Sequence, residues 1–170
     1  SRLDITNCAY TAIVNMLKMK TKAYAISIKA AVEKVYDIML GLTDKKTYQA
    51  WVSIFNPTST FEGSWEKGSE IRFIGTDQKG QTSGMLSKIV ENKPNEFVSI
   101  LHYGIIKNDQ EITQGAAVEP WAGFTENYTF KHNNGLTKVT IEMNTHEDYI
   151  DYFDDSWPKA LKKLKELAES

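Results

Sequence analysis

Two ionisable side chains, His102 and Glu126, stand among apolar residues in segments that have the alternating pattern of β-strands. His102 alternates with Val98 and Ile100, and Glu126 alternates with Tyr128 and other aromatic residues. Successive strand residues point to opposite faces, so each group shares its face with apolar side chains. If those faces line a cavity, burial raises the pKa of the carboxyl and lowers the pKa of the imidazole. Such a pair could orient a polar ligand, or move a proton during a cyclisation or dehydration.

A structural role is the simpler interpretation of both groups. Glu126 would then accept a hydrogen bond from a tyrosine hydroxyl or face solvent, and His102 would be a satisfied strand residue. The sequence contains no Cys-x-x-Cys, no Gly-x-Ser-x-Gly and no glycine-rich phosphate loop. We therefore assign no catalytic residue and expect no enzymatic activity, while keeping the proton-transfer role as an alternative.

A metal or other cofactor is not expected. His102, His132 and His146 lie on different predicted elements, and none has a second ligand at a familiar spacing. The single cysteine, Cys8, falls on an apolar helical stripe, where a cysteine is usually a small hydrophobic residue.

The four tryptophans indicate a pocket. Trp51 ends a predicted helix, Trp65 ends a strand, Trp121 lies in a long connection and Trp157 begins the last helix. Large rings at one mouth of a fold could line a site and offer their indole N–H groups to a ligand, although core packing explains them equally well. The residues predicted to contact a ligand are Trp51, Phe55, Trp65, His102, Tyr103, Trp121, Glu126, Tyr128 and Trp157.

The elements that would position these residues follow from periodicity. Alternation predicts a strand over 24–28, and helical spacing predicts a helix over 31–40 that ends at Gly41. Asp44 opens a second helix, which Pro57 ends. Six further segments joined by short turns predict antiparallel strands, over 59–65, 70–75, 83–90, 96–106, 124–132 and 136–144.

Two connections and the final segment complete this pattern. Asn134-Gly135 is the strongest hairpin signal, and residues 107–120 are long enough for a flap. Apolar residues from Trp157 to Ala168 have helical spacing. Pro158 predicts a break or kink near Ser156, with the main helix running from there to Glu169.

Composition indicates one domain without a charged partner. The chain has 170 residues and a net charge of −2, which gives no long-range attraction to nucleic acid or to an anionic membrane. One thiol permits no internal disulfide, so a cytoplasmic location is expected. Residues 1–21 are predicted to be an amphipathic helix or extension, whose apolar stripe could pack on the body or on a second copy in a homodimer. That stripe comprises Ile5, Cys8, Ala9, Ala12, Ile13, Met16 and Leu17.

The order of elements resembles the START-like superfamily, also called SRPBCC or helix-grip proteins. Within it, the chain is similar to the branch named after the activator of the ninety-kilodalton heat-shock protein ATPase. The resemblance covers residues 22–170 and rests on residues 31–42 with 48–51, 61–69, 121 with 126–130, 134–139 and 157–165. Leu136-Thr137 after Gly135 departs slightly from the paired glycine and threonine of the family, in a turn.

The resemblance implies an α+β fold in which a curved antiparallel sheet of about seven strands grips the C-terminal helix. Many relatives hold a hydrophobic or aromatic small molecule between sheet and helix. We therefore expect residues 22–170 to bind such a ligand. The alternatives are a cyclase or dehydratase that uses Glu126 and His102, and a co-chaperone or other protein-interaction module.

Overall fold

The structure is a computed structural model that describes residues 9–10 and 13–170. Its central feature is one antiparallel sheet of eight strands. The strands are β1 (Met19–Ile28), β2 (Thr60–Gly63), β3 (Glu70–Thr76), β4 (Thr82–Lys93), β5 (Phe97–Lys107), β6 (Gln110–Ile112), β7 (Thr125–Asn133) and β8 (Leu136–His146). They are ordered β1-β8-β7-β5-β4-β3-β2, with β6 paired to β5.

Within residues 19–170, three α-helices accompany the sheet, namely α1 (Val32–Leu40), α2 (Lys45–Val52) and α3 (Ile150–Glu169). Gly41 ends α1 in the left-handed conformation, with φ of 65°, and its N–H donates to the Asp37 carbonyl. The Asp44 side chain caps α2 by accepting from the Lys46 N–H at 3.0 Å. Both predicted helix boundaries are thereby confirmed, as is the predicted α+β helix-grip arrangement.

The prediction that α2 continues to Pro57 is wrong, because the helix ends at Val52. Beyond it, the Asn56 side chain accepts from the Thr58 N–H at 2.9 Å and donates to the Thr76 carbonyl at 3.0 Å. These bonds hold the segment against β3, so the chain leaves the helix five residues before the proline. The side chain of Phe55 is therefore carried by a loop.

Of the two alternatives predicted near Ser156, a break in the last helix is wrong, since α3 is continuous from Ile150 and contains Pro158. A proline has no N–H, so the Asp154 carbonyl loses its helical partner. Contacts with the sheet hold this turn in place: the Tyr24 hydroxyl donates to Asp154 at 2.7 Å, and Lys22 pairs with Asp154 at 3.0 Å. Trp157, three residues further on, is buried with its ring 6.3 Å from that of Tyr24.

The long connection after β5 contains a strand that periodicity did not predict. Lys107 pairs with Gln110, and the two residues between them, Asn108 and Asp109, have φ of 52° and 62°. Two consecutive positive φ values define the tight hairpin turn that Asn and Asp tolerate. The other predicted hairpin, at Asn134-Gly135, is confirmed by the pairing of Asn133 with Leu136 across it.

The core lies between the sheet and α3. The buried residues of the helix are Ser156, Trp157, Ala160, Leu161, Leu164 and Ala168. Apart from Ser156, they belong to one apolar cluster with strand residues such as Val98, Ile100 and Ile141. Complete burial of each large aliphatic side chain contributes roughly 2 kcal/mol. The helix is therefore fixed to the sheet along its second half.

At the N-terminus, residues 9–10 and 13–17 are helical, as the spacing predicted. Their large apolar side chains are exposed, namely Tyr10, Ile13, Met16 and Leu17. The other predicted members of the stripe, Ile5, Cys8 and Ala12, lie outside the described residues. The adjoining strand β1 begins at Met19, five residues earlier than the pattern predicted.

Candidate functional site

A cavity of about 430 Å³ lies between the sheet, the first half of α3 and the end of α2. Cavities that hold drug-sized molecules have volumes of roughly 300–1,000 Å³, so the space is sufficient for one. Its walls are mainly aromatic. The lining rings are those of Tyr48, Trp51, Phe55, Phe73, Trp121, Phe124, Tyr128, Tyr152, Phe153 and Trp157.

Trp51 and Trp157 form the wall below the two helices. Their ring centroids are 5.8 Å apart, and the Phe55 ring lies 5.0 Å from that of Trp157. Trp51 donates its indole N–H to the Met39 carbonyl at 2.9 Å, and Trp157 donates to the Met143 sulfur at 3.1 Å. Both indole N–H groups are therefore used within the protein and are not available to a ligand.

The other two tryptophans differ from each other. Trp121 is partly exposed and lines the cavity, with its ring 5.0 Å from that of Tyr149. Trp65 is buried and lies outside the lining, which corrects its assignment as a ligand contact. Its ring packs 5.4 Å from Phe61 and 5.6 Å from Phe73, so it supports the wall from behind. The Trp65 indole nitrogen has no hydrogen-bond partner in the described part of the chain.

Glu126 lines the cavity from β7. Its carboxylate accepts a hydrogen bond from the Tyr128 hydroxyl at 2.7 Å, which is the tyrosine partner that the structural interpretation predicted. Burial raises the pKa of Glu126 to about 7, although the Tyr128 bond acts in the opposite direction. Burial and, secondly, the nearby Glu126 charge raise the pKa of Tyr48. The three polar groups form one cluster on the cavity wall.

His102 lines the same cavity from β5. Its Nδ1 atom lies 2.6 Å from the Ser87 hydroxyl on β4, so the imidazole is fixed by a partner as the structural interpretation required. Burial lowers the pKa of His102 to about 4, and the ring is therefore neutral at physiological pH.

Tyr103 lies outside the cavity, which corrects its assignment as a ligand contact. Leu86 pairs with Gly104 and Ser87 pairs with His102, so Tyr103 is an extra residue without a partner on β4. Such a β-bulge bends the strand and redirects side chains. Tyr103 lines a separate hollow of about 260 Å³ together with Leu86 and Arg72.

His102 and Glu126 are close enough to act on one small molecule. Glu126 pairs with Ile100, and the His102 N–H donates to the Phe124 carbonyl, so the two residues occupy diagonal positions on one face of β5 and β7. Diagonal neighbours in antiparallel pairs are about 7–8 Å apart at Cα. A ligand in the cavity can therefore contact both side chains.

The electrostatic character of the cavity is set by Glu126. Over residues 9–10 and 13–170, neither lysine nor arginine lines it. The same residues contain no group of three His, Cys, Asp or Glu side chains placed to hold a metal ion.

Several lining residues were not predicted, although some carried a signal. Tyr48 precedes Trp51 by three residues and therefore shares its helix face. Tyr152 and Phe153 were placed before the predicted helix break, and the continuity of α3 brings both to the cavity. Met143 and Met85 lie on alternating strands whose inward face only the pairing register identifies.

The structure has an antiparallel sheet that wraps around a C-terminal helix, with a cavity between the two. This arrangement defines the helix-grip class, and it extends over most of the chain. The sequence profile of the family described as "Activator of Hsp90 ATPase homolog 1-like protein" matches residues 29–169. The chain belongs to this family, which confirms the resemblance noted from the sequence. Among curated proteins, no sequence matches this chain.

Solved structures show the same fold. The Aha1 dimer from Colwellia psychrerythraea is 24% identical, with a TM-score of 0.63 over 88% of this chain and 96% of that one. Protein Ms6760 from Mycobacterium smegmatis is 16% identical, with a TM-score of 0.62 over 86% and 89%. CalU16 from Micromonospora echinospora is 14% identical, with a TM-score of 0.59 over 89% and 77%. None of the helices in the described part of this chain is long and apolar enough to cross a membrane.

Proposed function

We propose that residues 22–170 bind a hydrophobic or aromatic small molecule in the cavity between the sheet and α3. The observation that carries this proposal is a space of about 430 Å³ with an aromatic wall and a few convergent polar groups. Binding sites for small molecules generally have this composition, because the rings supply apolar contact and the polar groups fix orientation. The fold family, in which ligand binding is common, supports the same function.

The proposed contacts divide by role. Trp51, Phe55 and Trp157 would supply apolar surface from the helical side, and Trp121 would cover the ligand at the rim. Glu126, Tyr128 and His102 would orient its polar group from the sheet.

Two measurements test this function. Native mass spectrometry of protein purified without a ligand-stripping step should detect a bound compound, and added ligand should raise the Tm. Ser83→Phe places a ring in the cavity and should abolish both effects, because Ser83 lines it. Lys88→Phe is the matched control, since Lys88 is exposed on the same strand. Binding that survives Ser83→Phe in a folded protein would contradict this site.

A second candidate function is an enzyme that uses Glu126 and His102 in proton transfer. The observation that favours it is a carboxyl with a pKa of about 7 beside a neutral imidazole in one cavity. A general acid or base is most effective when its pKa lies near the working pH. Turnover of a phenolic or polyketide-like compound, lost in Glu126→Gln with ligand binding retained, would establish it. Binding without turnover across such a panel would leave the binding function alone.

We also propose that the chain forms a homodimer through its N-terminal helix. The exposed side chains of Ile13, Met16 and Leu17 support this, because such a patch is usually covered by a partner. The relative from Colwellia psychrerythraea is described as a dimer. Light scattering of the full chain and of an Ile13→Lys/Met16→Lys/Leu17→Lys variant should give a dimer and a monomer. Equal masses would refute this interface, and a different protein bound to the patch would favour the co-chaperone alternative.

The single thiol supports a cytoplasmic location for this binding protein, because a fold without disulfides is stable in a reducing compartment. Cell fractionation with an antibody to the native chain would test that location.

A further inference from the structure

The cavity combines one partly buried carboxyl group, that of Glu126, with walls to which the described residues contribute no lysine or arginine. Glu126 is the only acidic residue among the described residues that line it, and lysine and arginine are absent from that set. The titratable groups that face the cavity with Glu126 are His102 from β5, Tyr48 from α2, Tyr128 from β7 and Tyr152 from α3. All of these neighbours are neutral near pH 7 in their ordinary forms.

The negative charge of Glu126 is therefore uncompensated. Its hydrogen-bond partner is the neutral Tyr128 hydroxyl, at 2.7 Å. On the neighbouring strand β8, the residue paired with Glu126 is Met143, which is also neutral. Lys22 on β1 is the register partner of Met143, but its ammonium nitrogen lies 3.0 Å from the Asp154 carboxylate and not at Glu126. Burial without a cation raises the pKa of Glu126 to about 7.

The walls around this carboxyl suit a cation as well as an apolar body. The tryptophan and tyrosine rings carry negative potential on their faces, which attracts a desolvated ammonium group. The indole N–H groups of Trp51 and Trp157 are already bound to Met39 and Met143, so a ligand meets the carbon atoms of these rings and not their N–H groups.

We propose that the ligand of this cavity is an aromatic or aliphatic amine whose protonated nitrogen binds at the Glu126 carboxylate, with its apolar body against Trp51 and Trp157. This inference rests on the proposed binding function and specifies the chemical class of its ligand. A carboxylate or phosphate ligand would place a second negative charge beside Glu126 in a site without lysine or arginine, and is excluded on that ground.

A neutral alcohol is the closest competitor, because it can donate a hydrogen bond to the same carboxylate. The two differ in their response to pH. An ammonium ion stabilises the ionised form of Glu126, so its affinity falls when the carboxyl is protonated. An alcohol gains little from ionisation of the carboxyl, and its affinity changes much less over the same range.

The test uses three probes that share one ring system: 2-(1-naphthyl)ethylamine, 2-(1-naphthyl)ethanol and 1-naphthylacetate. Isothermal titration calorimetry at pH 8.0 should show the amine binding at least tenfold more tightly than the alcohol, with the carboxylate weakest. With a Glu126 pKa of about 7, the affinity for the amine should fall about 30-fold between pH 8.0 and pH 5.5 if only the ionised carboxyl binds it.

Two variants separate charge from packing. Glu126→Gln keeps the shape of the side chain and should reduce binding of the amine to the level of the alcohol, while the alcohol binds within about threefold of its original affinity. Retained alcohol binding also shows that the variant is folded and its cavity intact. Glu142→Gln, an exposed position on the adjacent strand β8, should leave the preference for the amine unchanged.

The outcomes distinguish the two levels of the argument. If the alcohol binds as tightly as the amine, with no dependence on pH, the amine inference is wrong and the binding function stands. If the carboxylate binds best, the electrostatic reasoning is overturned in the same way. If none of the three ring compounds binds while native mass spectrometry detects a bound compound, the amine inference is wrong and the binding function stands; if native mass spectrometry detects none either, both fail.

Discussion

Replacement of Glu126 by glutamine should increase the stability of the protein at alkaline pH and leave it unchanged in acid. The folded structure raises the pKa of this carboxyl from its ordinary value of 4.5 to about 7, mainly through burial. A raised pKa means that the folded state favours the protonated form. The stabilisation from that form is fully present below pH 4.5 and is lost as the pH rises through 7.

The size of the effect follows from the shift. Each pKa unit corresponds to 1.36 kcal/mol, so a shift from 4.5 to about 7 gives about 3 kcal/mol between the two limits. Glutamine cannot ionise, and its free energy of unfolding lacks this dependence. His102 contributes in the opposite direction, because its lowered pKa, about 4, costs stability as the pH falls from 6.5 through 4. The difference between wild type and variant cancels the His102 contribution.

Urea unfolding followed by tryptophan fluorescence at unit steps from pH 4 to pH 8 measures this difference. The variant should match wild type at pH 4 and gain steadily to about 3 kcal/mol at pH 8. Glu142→Gln is the matched control, because Glu142 is exposed on the same sheet and its replacement should give a small difference that is constant with pH. A constant difference for Glu126→Gln as well would refute the burial of this carboxyl.

Three further changes test the fold that positions the cavity. Leu164→Ala removes a fully buried side chain of α3 and should lower the free energy of unfolding by about 2–5 kcal/mol, measured by urea titration, and a loss below about 1 kcal/mol would contradict the packing of the helix on the sheet. Gly84→Ala should reduce the Tm by more than 10 °C or prevent folding, because φ is 154° there and a Cβ atom would lie 1.9 Å from the Phe73 carbonyl oxygen. An unchanged Tm would show that β3 and β4 do not approach so closely. Asp44→Ala should cost about 1 kcal/mol through loss of the α2 cap, whereas Asp44→Asn should retain most of it, and equal losses in the two would argue against capping.

The sequence predicted the fold wherever a local signal agreed with the tertiary contacts. Gly41 ends α1 through its backbone conformation, and Asp44 begins α2 through its side-chain cap. Asn134-Gly135 forms its turn through its own positive φ angles. Alternation was sufficient to identify the longer strands, because one face of each is buried in the core. Their register was beyond reach, since it depends on partners distant in the chain.

The sequence predicted that aromatic rings line the site, but it identified only some of the residues that do so. Strict alternation would already have placed Tyr103 and His102 on opposite faces, and the bulge beside His102 is a pairing feature that one strand alone does not encode. Trp65 has the same composition signal as Trp121, yet packing against Phe61 and Phe73 turns it into the core. The alternation predicted the direction in which burial shifts the pKa values of Glu126 and His102. It did not predict the size of these shifts, which depends on how deeply each group is buried.

Pro158 separates two parts of α3 that have different structural roles. The rings that border the cavity, Tyr152, Phe153 and Trp157, all precede it, and the aliphatic residues from Ala160 onward anchor the helix to the sheet. The turn before the proline lacks one backbone hydrogen bond and is secured at Asp154 by partners on β1 that solvent can reach. Local opening of α3 is therefore expected to begin in this turn, because opening begins where few bonds must break.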